Sequence, residues 1–126
     1  MTRTLVFLHL IGAAVWLGGS ITLGAVVPVL RRTGVERHQL RAMARQFGRV
    51  SWTAMAVAIG SGVWLVSRTG RDWGDLSLKA GLVIVAVALA AFHQVTAGSS
   101  SPAKRGAMEG LILLASLGIF AAATGV

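Results

Sequence analysis

Four side chains in this chain pair reactive chemistry with apolar surroundings: His9, Lys79, His93 and Glu109. An ionisable group in a long apolar run is costly to keep, so each is a candidate for function. His9, Gly12, Trp16 and Gly19 are spaced 3, 4 and 3 residues apart, which places them along one stripe of a helix. Glycines beside an imidazole leave room for a neighbouring helix or a flat ligand. Lys79 falls at the start of a later apolar run, at a depth comparable to that of His9. A histidine and a lysine at one level could hold a metal, a porphyrin or an anionic group. The plainer alternatives are that Lys79 snorkels to the headgroups and His9 hydrogen-bonds a neighbour.

His93 and Glu109 form the second candidate cluster. His93 lies near the end of the third apolar run, on a face with Lys79, Ala86, Ala90 and Ala97. Glu109 opens the fourth run, with Ser116 two turns further along its face. Such a pair can bind a cation or relay a proton, and it can equally serve as an ion pair joining two helices. His9 and His93 cannot both ligate one haem in one protomer. Each is about seven residues from the middle of its span, on opposite sides, which separates them by ~20 Å. Two haems, each with one histidine, or a site shared between protomers, remain open.

The elements that must position these residues are four apolar runs, Leu5–Leu30, Val50–Val66, Leu76–Thr96 and Met108–Thr124. Each approaches the ~20 residues that carry a helix across a ~30 Å hydrocarbon core. They lack the alternation of barrel strands, and lipid admits little else. With 55% hydrophobic and 13% charged residues, the 126-residue chain has no room for a soluble domain. The expected fold is all-α: a single four-helix transmembrane bundle over residues 1–126. The first run is too long for a signal-peptide core and has no clear cleavage site, so it reads as a retained helix. Dense glycine and alanine would let the helices approach closely.

Helix one is expected to stop near Pro28, with Arg31 and Arg32 anchoring its end. From Glu36 to Val50, Leu40, Met43, Phe47 and Val50 mark one face, and Arg37, Arg41, Arg45 and Arg49 the other. That pattern predicts a short interfacial helix lying on anionic lipid headgroups before helix two. Helix two is expected to end in the small-residue stretch Gly60–Ser61–Gly62 before Trp64, and Gly98–Pro102 to end helix three. Most of the net charge of +8 sits in this first connection, which favours a basic membrane face over nucleic acid. The positive-inside rule then puts the first and third connections in the cytoplasm and both termini outside.

The absence of cysteine excludes disulfides, thiolate metal sites and thiol catalysis. Cu(I) prefers thiolate and thioether ligands, and beyond Met1 there are only Met43, Met55 and Met108. A copper site would therefore depend on His9, helped by a methionine or by Asp72 or Asp75.

The ordered pattern resembles a known family. LHLIGAAVWLGG, with His9 and Trp16, is similar to the opening helix of the CopD copper-resistance domain. GRVSWTAMAVAIGSGVWL resembles its second helix, WGDLSLKAGLVIVAVALAAFHQ its third with Lys79, and RGAMEGLILLASLGIFAAATG its fourth with Glu109. The HemJ-type protoporphyrinogen oxidases share the helix-one histidine and helix-three lysine, and FHQ with His93 looks more like them. The chain is short for that family, and its fourth helix lacks the expected Asn-Glu-Pro-like start. The first resemblance implies copper transport or tolerance at a bacterial or archaeal plasma membrane, with His9, His93 and Glu109 as metal ligands. The second implies haem b or porphyrin redox chemistry, with His9 and Lys79 as the functional pair. A third reading is an accessory subunit of a larger membrane complex. Little lumen is expected in one such bundle, so any route for copper would need a homo-oligomer or larger assembly.

Overall fold

The computed structural model describes residues 1–125, and every regular element among them is an α-helix. The helices are α1 (Thr2–Arg32), α2 (Arg37–Thr69), α3 (Ser77–Thr96) and α4 (Pro102–Thr124). All four are long and apolar enough to cross a membrane, as the hydropathy of the sequence requires. The chain is a multi-pass membrane protein of the all-α class. It forms two compact units, Met1–Arg71 and Asp72–Val126, each an antiparallel helical hairpin.

Local chemistry explains most of the helix boundaries. Glu36 caps α2 in extended conformation, and the Gln39 side chain accepts from its backbone N–H at 3.2 Å, completing a capping box. Gly70, at φ 63°, closes the same helix in the left-handed region that glycine enters at no steric cost. The Ser101 hydroxyl caps α4 by accepting from the Lys104 N–H at 3.3 Å, with Pro102 directly after it.

Three sequence expectations need correcting. No separate interfacial helix covers Glu36–Val50; residues from Arg37 onward are the first turns of a continuous α2. Its amphipathic face packs on α1, since a Cβ built on Gly19 would meet the Phe47 ring at 2.8 Å. Helix α1 does not stop at Pro28 but runs through it to Arg32. Proline removes one backbone donor without ending the helix, which closes at Thr33, whose N–H reaches the Val29 carbonyl at 3.0 Å. Likewise α2 continues past Gly60–Ser61–Gly62 to Thr69.

Hydroxyl groups within the helices mostly satisfy themselves. Ser20 donates to the Trp16 carbonyl, Thr22 to Gly18, and Ser116 to Ile112, each at 2.8 Å. This back-bonding by one turn makes a hydroxyl tolerable in hydrocarbon.

Candidate functional site

In the first unit, the stripe of His9, Gly12, Trp16 and Gly19 is the surface of α1 that meets α2. A Cβ on Gly12 would lie 2.6 Å from the Ala54 carbonyl oxygen and 2.9 Å from the Ala58 nitrogen. Only glycine lets the two backbones come this close. One turn along, Trp16 is buried and meets Trp52 edge-on, with ring centroids 6.0 Å apart. The room left by the glycines is thus taken by a neighbouring helix. Trp16 is part of that packing.

At the end of the stripe, the His9 ring is half-buried, and its Nδ1 lies 2.7 Å from the Ala58 carbonyl oxygen. A carbonyl oxygen can only accept, so Nδ1 carries the proton. In the neutral ring the lone pair is therefore on Nε2. The imidazole rests against Gly62, where a Cβ would stand 3.0 Å from Cε1 and 3.1 Å from Nδ1. Orientation and tautomer are both set by α2. A backbone carbonyl on one ring nitrogen fixes the orientation of the imidazole and leaves the other nitrogen as its acceptor.

The buried face of α2 consists of Ser51, Ala54, Met55, Ala58 and Ser61. Met55 shares this face with Ala58, one turn away from the carbonyl that holds His9. Asp72, considered as an outer carboxylate ligand, has Oδ1 accepting from the Gly74 N–H at 2.9 Å. The Ser51 hydroxyl is buried and has no hydrogen-bond partner among the described residues.

In the second unit, α3 and α4 bring His93 and Glu109 together as anticipated. His93 Nε2 and Glu109 Oε1 are 3.5 Å apart, with the side chains 21% and 46% exposed. Nearby, Arg105 Nη1 donates to the Ala97 carbonyl at 3.1 Å, tying the start of α4 to the end of α3. The faces that carry the pair also hold the most buried residues of these helices, Ala86 and Ser116. Lys79 is part-buried near the other end of α3, fourteen positions from His93 or ~21 Å along the helix. It does not join the His93–Glu109 cluster.

The 3.5 Å spacing has a chemical meaning. It exceeds the length of a good N–H···O hydrogen bond. Metal–imidazole and metal–carboxylate bonds of about 2.0–2.2 Å separate two ligand atoms by ~3.3–3.6 Å at tetrahedral or trigonal angles. The separation is thus that of a loose ion pair, and it also falls within the range of two ligands sharing a cation, with Glu109 half-exposed beside the less exposed His93. Among the described residues no three His, Asp or Glu side chains converge on one point.

Sequence reasoning placed His9 but missed the two features that define it, the Ala58 carbonyl and the Gly62 notch. The only signal for the notch is the small-residue run Gly60–Ser61–Gly62; a backbone acceptor leaves none. The arginines from Arg31 to Arg49 are exposed on the end of α1 and the beginning of α2. No protein-family model, curated protein or solved structure matches the chain.

Proposed function

We propose that this protein handles copper at a plasma membrane, in transport or tolerance, as the CopD-like pattern of its residues implies. The observation that carries this reading is the His93–Glu109 pair, whose 3.5 Å separation suits a shared cation. His9 adds a second imidazole donor with its tautomer already selected. In this account His9 receives the ion on the outer side, and His93 with Glu109 holds it on the inner side. Both termini face outward. The exposed arginines of α1 and α2 lie among anionic headgroups on the cytoplasmic side. Copper is cargo here, and this chain supplies one or two ligands to each station. A second copy of the chain or a larger complex supplies the remaining ligands and the enclosing wall.

The decisive physiological test is copper tolerance of a strain lacking the protein. The wild-type chain should restore the native tolerance, and His9→Ala and Glu109→Gln should not, at equal protein level. Equal rescue by all three would remove the copper reading.

One observation favours a second reading. A porphyrin supplies four in-plane ligands, so a single oriented imidazole such as His9 is sufficient to bind haem b. On that reading the protein purifies coloured, and His9→Ala bleaches it. An accessory subunit would show neither metal nor colour.

A further inference from the structure

Apart from these polar clusters, the first hairpin has a groove on its surface, about 400 Å³ in volume. Its walls are Ile11 and Val15 of α1 and Val50 and Val57 of α2, and Gly12 forms part of its floor. The single charged lining residue is Arg49, at one end. Thr53 also lines it, but its hydroxyl is consumed by a 2.8 Å bond to the Arg49 carbonyl. The groove is therefore an apolar slot closed by one cation. From Val57 to Arg49 it follows α2 for about 12 Å.

The depth of that cation fits a headgroup. Arg49 directly precedes the apolar run Val50–Val66 of α2, and its long side chain carries the guanidinium away from that run. Arg45 and Arg41 continue one and two turns beyond it, both exposed.

We propose that the α1–α2 groove binds one anionic phospholipid, an acyl chain against Ile11, Val15 and Val57 and the phosphate on Arg49. A neutral lipid would fill the slot and leave the guanidinium without a counter-charge. A second copy of the chain brings the wrong sign, with twelve Lys and Arg against four Asp and Glu. A phosphate accepts the planar fork of arginine through two parallel hydrogen bonds. This is one retained lipid in a shaped site, beyond the diffuse attraction of a basic face. It does not depend on copper, and its readout is separate.

The test is native mass spectrometry of the full-length, delipidated protein in detergent. Phosphatidylglycerol and phosphatidylcholine with identical acyl chains are titrated in turn. Wild-type protein should retain one phosphatidylglycerol with about fivefold or greater preference, the value of one arginine at a membrane surface. Arg49→Gln, an exposed change that leaves the packing alone, should lower phosphatidylglycerol to the level of phosphatidylcholine. Val57→Trp fills the slot from an exposed position and should reduce retention of both lipids. Arg37→Gln, three turns away, should leave the preference unchanged.

Preference that survives Arg49→Gln would overturn the proposal, as would equal loss from Arg37→Gln, which would mark general charge attraction. A dimer that phosphatidylglycerol fails to displace, and that Val57→Trp dissolves, would assign the groove to a second copy instead. Because Arg49→Gln perturbs no buried residue, it decides the headgroup contact even if Val57→Trp fails to fold.

Discussion

His9 Nδ1 donates a 2.7 Å hydrogen bond to the carbonyl oxygen of Ala58, across the interface between α1 and α2. That carbonyl also belongs to the backbone of a helix, so it cannot swing away. The ring is held as its Nδ1–H tautomer, with Gly62 giving it the space to lie flat against α2.

This tautomer is directly observable. In ¹⁵N-labelled protein, long-range ¹H–¹⁵N correlations should show a proton on His9 Nδ1. Gly62→Ala should displace the ring, since the new Cβ would press to 3.0 Å from Cε1. Mixed tautomers should then appear, together with about 10–100-fold weaker copper binding, the usual effect of removing a group that orients a ligand. An unchanged tautomer and unchanged affinity would contradict the positioning role of Gly62.

Packing at the other glycines is equally specific. Gly12→Ala places a methyl 2.6 Å from the Ala54 carbonyl oxygen, so α1 and α2 must separate. The expected loss is about 1–3 kcal/mol, the common result of overpacking a filled interface. Gly18→Ala meets nothing within 4 Å and should be neutral or slightly stabilising. Reversible unfolding in mixed micelles would compare the two; equal effects would contradict the close approach at Gly12.

At the second cluster, Glu109→Gln preserves size and removes the anionic oxygen that faces His93 at 3.5 Å. Copper binding at this end should fall by about tenfold or more, because first-row cations favour a carboxylate over a neutral amide. Isothermal titration in detergent, with a chelator to buffer the metal, reads the change. Binding equal to that of wild type would leave the pair as a simple tie between α3 and α4.

Much of this architecture was legible in the sequence, and the reasons for the exceptions are physical. Four apolar runs near membrane length allow only helices, and four helices are what form. The 3, 4, 3 spacing of His9, Gly12, Trp16 and Gly19 correctly defined one face. His93 and Glu109 could be paired because a short connection forces their helices antiparallel. What α1 faces was not legible, because the register depends on a backbone carbonyl and on a missing side chain at Gly62. The length of α2 was misread for another reason. An arginine-rich amphipathic stretch has the same pattern whether it lies flat on lipid or continues a helix, and only Phe47 stacked over Gly19 distinguishes them.

The continuous α2 makes its own prediction. Spin labels at Arg41 and Ser67 in liposomes should be about 39 Å apart along one straight helix. A helix folded onto the surface before Val50 would bring them much closer. Double electron–electron resonance separates the two cases.

The central claim is that copper is the ion these imidazoles serve. The most direct measurement is metal content together with the visible spectrum of detergent-purified protein, oxidised and dithionite-reduced. The account predicts near-stoichiometric copper, no Soret band, and copper reduced by His9→Ala. A Soret band with sharp reduced α and β bands, lost in His9→Ala, would contradict it and assign His9 to haem.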